Sequence, residues 1–306
     1  MRECIIREIL HLLKQNKDLH FITADLGFGL LDELEKQLPN QFTNVGVAEQ
    51  NMIGVAAGMA LTGKKIFCYS LGNFPTMRCL EQIRNNILYH DLDVILISSG
   101  AGFSYGPLGM SHHLTEDIGY MRSLPNIRIF SPGSEKEATE VLHYACTTKG
   151  PAYIRVDKSA FEEELYESLS VFNPERPRLL ASGEDIAILS YGGLLKEVAN
   201  AKKLLAKENL IISVYSFPQI KPIDENFLQS ILKQYTKLLV VEEHNKYGGL
   251  GSVVSEVLVK KKCTNIDFSH LSIPDEYPEI VGDQNFLREL YGLSTENIVK
   301  EIKKLL

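Results

Sequence analysis

Two spacings of apolar residues alternate along the chain. Short apolar runs of strand length lie at His20–Asp25, Lys65–Ser70, Val94–Ser98, Ile127–Phe130 and Ala152–Arg155. Between them, apolar positions recur at helical intervals from near Arg2, Gly29, Gln50, Phe74, Thr115 and Ser134. Strands alternating with helices predict parallel α/β sheets, here a first domain over residues 1–157. Residues 158–184 break the rhythm with Glu162-Glu163-Glu164 and Pro174-Glu175-Arg176-Pro177, a composition that favours an extended linker. A second α/β domain, residues 185–306, carries predicted strands at Ile186–Ser190, Leu210–Ser216, Lys237–Val241 and Asn265–Phe268. Its predicted helices are Leu194–Ala206, Glu225–Lys233, Gly249–Lys260 and Ser294–Lys304. No internal repeat or low-complexity tract interrupts either domain.

The segment after Asn51 departs from an ordinary surface pattern. Met52-Ile53-Gly54-Val55-Ala56-Ala57-Gly58-Met59-Ala60 is too apolar and too rich in small residues for a surface helix, yet Glu49 stands at its mouth. A carboxylate there either favours the positive helix end or, if buried, is poised to share a proton with a partner.

Composition narrows the class. The 306 residues are 44% hydrophobic, enough for two substantial cores. With 32 basic and 39 acidic residues the net charge is −7, and no basic run suggests nucleic acid. Cys4, Cys68, Cys79, Cys146 and Cys263 show neither metal-type pairing nor disulfide-dense spacing, which fits a reducing cytosol. Arg2, Glu3, Arg7 and Glu8 mark the N-terminal helix as amphipathic rather than a signal peptide. No apolar run approaches the roughly 18 residues of a membrane span.

Candidate chemistry gathers in the first domain. Gly100-Ala101-Gly102-Phe103-Ser104-Tyr105-Gly106-Pro107-Leu108-Gly109 follows a predicted strand, and such loops line ligand sites in α/β folds. It leads into His112 and His113, which as adjacent residues cannot both face one ligand. No third ligand nearby argues for zinc. Glu243-His244 beside Gly248-Gly249 reads as a strand end and a tight entry into a helix rather than a catalytic site.

An ordered set of segments resembles the thiamin-diphosphate-dependent transketolases and deoxyxylulose-phosphate synthases. It runs from Asn44-Val45-Gly46-Val47-Ala48-Glu49-Gln50-Asn51 through Gly72-Asn73-Phe74-Pro75-Thr76-Met77-Arg78-Cys79-Leu80-Glu81-Gln82-Ile83-Arg84. Gly106-Pro107-Leu108-Gly109-Met110-Ser111-His112-His113, Glu116-Asp117 and Leu124-Pro125-Asn126 continue it. Val241-Glu242-Glu243-His244-Asn245 and Gly248-Gly249-Leu250-Gly251-Ser252 complete it, so the likeness spans nearly the whole chain.

The resemblance implies a pyrimidine-binding domain followed by a C-terminal domain that supports a dimer. It implies that Glu49 shares a proton with the cofactor's aminopyrimidine, and that Phe74, with Tyr69, supplies the stacking platform. Arg78 either joins the cofactor site or pairs with a carboxylate such as Glu81 or Asp25. His112 matches the histidine that faces the substrate oxygen, and His113 stands where a glutamine is common. Leu108 replaces an aspartate that contacts a sugar hydroxyl in many transketolases. The arginine that grips the substrate phosphate falls at or near Lys158, which offers a point charge without the bidentate fork.

The diphosphate and magnesium signature of the complete enzymes, a Gly-Asp-Gly, is absent; Val281-Gly282-Asp283-Gln284 lacks the second glycine and lies in the wrong domain. The resemblance therefore implies a complete β-type subunit of a split transketolase. A partner carrying the N-terminal half would supply the magnesium site, as a heterotetramer of two copies each acting on a sugar or sugar phosphate. Other readings are the β subunit of a 2-oxo-acid dehydrogenase decarboxylase component, half of a deoxyxylulose-phosphate synthase, and a non-catalytic assembly subunit.

Overall fold

In the first sheet, alternate residues of each strand feed two separate cores, and this sorting decides which side chains reach the site. In Lys65–Leu71, Ile66 and Cys68 pack with Met52, Ile53 and Ala56 on one face. Phe67 and Tyr69 pack with Ile9, Leu13 and Val141 on the other. The computed structural model describes residues 1–163 and 172–306. Residues 164–171, within the expected linker and including Glu164, lie outside the described residues.

The twelve described strands are β1 Leu19–Thr23, β2 Phe42–Asn44, β3 Lys65–Leu71, β4 Val94–Ser99, β5 Arg128–Phe130 and β6 Ala152–Val156. They continue as β7 Arg178–Ala181, β8 Ala187–Ser190, β9 Ser213–Ser216, β10 Gln219–Lys221, β11 Lys237–Asn245 and β12 Asp267–Ile273. Seven form a sheet in the order β10-β5-β6-β4-β3-β1-β2, and five form a second in the order β12-β11-β8-β9-β7. Both are parallel except at one edge, where β10 runs antiparallel to β5 and β7 antiparallel to β9.

The parallel-type α/β sheets expected from the sequence are present, each with one antiparallel strand added at an edge. β7 lies inside the stretch expected as a linker, and its charged start, Arg178, hides the strand signal. β10 comes from the second half of the chain but completes the first sheet, so one strand pairing crosses the division at 157 and 185. Three residues are too few to show a period.

Helices cover the sheets where the apolar stripes predict. Arg2–Gln15 and Glu135–Thr147 pack together on one face of the first sheet. Glu49–Leu61 lies on the other, burying Met52, Ile53, Ala56, Ala57 and Ala60 at helical spacing. Its far side carries exposed Gly54, Gly58 and Leu61. The helix is thus a surface element of this chain despite its apolar composition.

Candidate active site

The parallel order of β4, β3, β1 and β2 brings their C-terminal ends to one edge, where ligands of open α/β sheets bind. Three of the loops that converge there carry the candidate residues. The one after β2 leads to Glu49, the one after β3 carries Phe74 and Arg78, and the one after β4 carries His112. Gly72 turns the chain after β3 with φ +52, and a Cβ there would press within 3.3 Å of the His112 carbonyl oxygen.

Glu49 is 2% exposed. Its Oε2 accepts a hydrogen bond of 2.7 Å from Arg78 Nη1, so the buried carboxylate has a guanidinium partner. Neither Glu81 nor Asp25, the partners expected from sequence, takes that place. The same guanidinium lies over the Phe74 ring, 4.4 Å from its centroid. The His112 ring meets Phe74 edge-on at 5.4 Å, and its Nδ1 shares a 3.0 Å hydrogen bond with Ser111 Oγ. Glu49, Arg78, Phe74 and His112 therefore form one continuous group.

Other candidates fall elsewhere. Tyr69 does not join the platform: strand alternation turns it into the opposite core, stacked on Phe21 at 6.0 Å. Burial pushes its hydroxyl up to about 12. His113 turns away from His112 and packs on Phe103 at 5.2 Å. Its burial lowers its pKa, and its Nδ1 has no partner. Lys158 is exposed and holds its ammonium 3.7 Å from the Tyr105 ring centroid. Leu108 is 56% exposed on the short turn Gly106–Leu108.

Sequence reasoning missed the groups that brace these loops. Asn73 donates its amide to the His113 carbonyl at 2.7 Å, and the Tyr120 hydroxyl bonds Thr76 at 2.7 Å. Cys79, next to Arg78, is a poor nucleophile, because burial and the Glu49 charge push its thiol up to about 12. Beneath them, Arg155 donates to both oxygens of Asp117 at 2.9 and 3.0 Å and to the Leu114 carbonyl at 2.7 Å. A charge inside the apolar run Ala152-Tyr153-Ile154-Arg155-Val156 was the available signal.

Glu242 caps the helix Leu250–Lys260, accepting from the backbone N–H groups of Leu250 and Gly251 at 2.8 and 2.9 Å. His244 accepts from the Gly119 N–H. The strand end expected at Glu242 is overrun, because β11 continues to Asn245, and Glu242 and His244 both accept from backbone N–H groups there.

The group at the strand ends fits an aminopyrimidine: a buried carboxylate at a helix mouth, a partly exposed aromatic ring and a histidine at the ring edge. Among the described residues no three His, Cys, Asp or Glu side chains converge to hold a metal ion. Asp283 is spent as a helix cap, accepting from the Phe286 N–H at 2.9 Å.

Residues 1–164 match the transketolase pyrimidine-binding domain, and residues 176–298 match the transketolase C-terminal domain. The chain is 32% identical to an apulose-4-phosphate transketolase subunit of Actinobacillus succinogenes, over 96% of this chain and 94% of that one. It is 33% identical to a putative transketolase C-terminal section of Methanocaldococcus jannaschii, over 99% and 95%. Against the 1-deoxy-D-xylulose-5-phosphate synthase of Syntrophomonas wolfei, 29% identity covers 96% of this chain but 46% of that enzyme. A solved structure described as a split gene transketolase, inactive beta4 tetramer, superposes with a TM-score of 0.87 at 31% identity, covering 100% of this chain and 97% of that one.

Proposed function

The chain belongs to the transketolase family, and from that premise we propose that it is the β-type subunit of a split, thiamin-diphosphate-dependent transketolase. Its reaction is transfer of a two-carbon ketol unit between sugars, in the cytoplasm. A partner subunit corresponding to the N-terminal half supplies the diphosphate and magnesium site, in a heterotetramer of two copies each. The observation that carries this reading is the continuous Glu49–Arg78–Phe74–His112 group, present in a chain that matches split-transketolase relatives from end to end.

Thiamin diphosphate, when bound, supplies the acidic ring carbon and electron sink that carbon–carbon cleavage requires. Glu49 holds or shares a proton at the pyrimidine nitrogen from its buried place at the helix mouth. Phe74 offers a stacking face. Arg78 is half in solvent while Glu49 is not, so the guanidinium can swing off both without stranding itself in a dry interior. His112, held by Ser111, is placed to move a proton at a substrate oxygen. The hydrogen bonds of Asn73, Tyr120 and Thr76 keep the loops in register.

The substrate is a sugar phosphate other than the ordinary pentose phosphates. Support comes from Leu108, which cannot accept a sugar hydroxyl's hydrogen bond, and from relatives named for apulose 4-phosphate. Lys158 is the candidate point charge for the phosphate.

The test is co-expression with a chain matching the transketolase N-terminal half, followed by assay with thiamin diphosphate, magnesium and a panel of ketose donors. Co-purification and ketol transfer by the pair, with neither chain active alone, is the expected outcome. Tight magnesium-dependent cofactor binding by this chain alone, read by calorimetry, would refute the split site.

A further inference from the structure

The loop that carries His112 is not held by its own domain alone. Its Gly102 N–H and C=O pair with Leu114, closing the loop at its base with hydrogen bonds of 2.9 and 3.0 Å. Just inside that closure the Phe103 N–H donates to Glu243 Oε1 at 2.6 Å. Glu243 stands on β11, in the second sheet, 140 residues away. It is itself gripped by Arg288 at 2.6 Å and by the Gln284 amide at 3.1 Å, both on the helix Gln284–Leu290. Gln284 also donates to Asp157 at 3.2 Å, and Asp157 accepts from Ser104 Oγ of the same loop at 2.8 Å.

All three charged members, Asp157, Glu243 and Arg288, are buried. The loop's apolar side is clamped as well. Phe103 stacks on Tyr291 at 5.4 Å and meets His113 edge-on. Gly102, at φ +57, lies where a Cβ would overlap the Glu243 carboxylate, so backbone and carboxylate are in direct contact.

We infer that Glu243 is a positioning residue for the substrate loop: through the Phe103 N–H it lets the second domain set the place of His112, and Arg288 and Gln284 hold Glu243 for that task. The inference rests on the reading of His112 as the residue facing the substrate. A buried charge-assisted hydrogen bond to a backbone N–H is a stiff support. Displacing a positioned group by about 1 Å from a remote mutation can cost about 100-fold. Glu49, Phe74 and Arg78 stand on other loops, which meet this one at the His112 ring and the His113 carbonyl, so cofactor binding depends on this support less than the substrate side does.

The experiment uses the full chain, alone and in complex with its N-terminal-half partner. Amide hydrogen exchange is followed in the peptide 103–113 and in β4 and β6. Steady-state kinetics and thiamin diphosphate calorimetry are measured on the complex. Glu243→Ala removes the acceptor; Glu243→Gln keeps an acceptor without the charge. For Glu243→Ala the expected result is faster exchange confined to 103–113 and a fall in kcat/KM of about 100-fold carried mainly by kcat. Cofactor affinity stays within about twofold, and Glu243→Gln recovers part of the loss.

Should Glu243→Ala fail to fold, Gln284→Leu takes its place, with the same pattern at smaller amplitude. Unchanged loop exchange overturns the inference, as does exchange rising equally in β4 and β6, or kcat/KM and cofactor affinity falling together. A wild-type complex with no ketol transfer would count against the proposed function instead. In that case exchange in 103–113 decides alone whether Glu243 sets the loop.

Discussion

The Glu49–Arg78 pair and the Glu243–Arg288 pair are chemically the same contact in two different solvents. In the first, the carboxylate side chain is 3% exposed but the guanidinium 46%. In the second, both are sealed, at 3% and 2%. An ion pair with one partner in water separates more cheaply, because water takes over one of the two released charges. A pair sealed on both sides cannot be opened without leaving a bare charge in a dry interior. The first arrangement suits a site that must admit a ligand, and the second suits a joint between two sheets.

Substituting the carboxylate of the open pair tests its chemical half, and no other single substitution should lower activity further. In the reconstituted complex Glu49→Gln is expected to lower turnover by about 100- to 10,000-fold, the usual cost of losing a positioned proton-transfer group. The stability of the chain should move by less than about 1 kcal/mol, since Arg78 already reaches water. Activity within a few-fold of wild type would remove Glu49 from the proposed mechanism.

Matched arginine substitutions sharpen the contrast directly. Arg288→Met strands Glu243 and Asp157 together, and a broken buried pair costs about 3–5 kcal/mol. Arg78→Met should cost less, since it strands one buried carboxylate, Glu49, rather than two. Urea denaturation of the two variants gives both numbers. Equal losses would mean that solvent exposure does not distinguish the pairs.

Two further buried glutamates separate by pH. For Glu242, burial alone would raise the pKa, but the hydrogen bond to His270, the His244 and His270 charges and the Gly251 N–H together hold it at about 2. Its folded value lies below the ordinary 4.5, so it contributes stability above pH 4.5 that is lost as the pH falls toward 2. The expected loss is on the order of 2–3 kcal/mol. Glu137 goes the other way. Burial raises it to about 7, ahead of the opposing Gly133 N–H, Ser216 hydroxyl and Arg178 charge. Its contribution is complete below pH 4.5 and is lost as the pH rises through 7. Denaturation midpoints measured from pH 3 to 8 should lose the acid-side slope in Glu242→Gln and the neutral-side slope in Glu137→Gln. A wild-type slope surviving in either variant would assign it to another group.

The same divide separates what the sequence shows from what it hides. The long parallel strands, the helices after them and the segments bearing Glu49, Phe74, Arg78 and His112 are local patterns, each complete within about twenty residues. The braces are not. Glu243 reaches Phe103 across 140 residues, and Arg288 reaches Asp157 across 131, so no window contains both ends. Their trace in the sequence is the charge within an otherwise apolar strand, as in Leu238-Leu239-Val240-Val241-Glu242-Glu243. Tyr69 was misplaced for a related reason. Which face of β3 it takes depends on which core each face meets, and one residue of register reverses the answer.

The smallest expected effect belongs to the exposed rim of the site. Leu108 is 56% exposed and buries little, so Leu108→Asp should leave stability within about 0.5 kcal/mol. Its consequence lies in substrate choice. A wall that can accept a hydroxyl's hydrogen bond discriminates strongly against substrates lacking that hydroxyl, whereas an apolar wall discriminates weakly. Because Leu108 offers the ordinary donor's hydroxyl no hydrogen-bond partner, the wild-type complex is expected to lose its preference for xylulose 5-phosphate over a modified ketose phosphate. Leu108→Asp should move the ratio of kcat/KM values toward the ordinary donor by about tenfold. Because the change sits on the loop that Glu243 braces, the shift should shrink in a Leu108→Asp/Gln284→Leu double variant, where the new carboxylate is less firmly placed. If the wild type already prefers xylulose 5-phosphate to every other donor tested, Leu108 does not set the preference. The roles of Glu49 and His112, which rest on other contacts, would be unaffected.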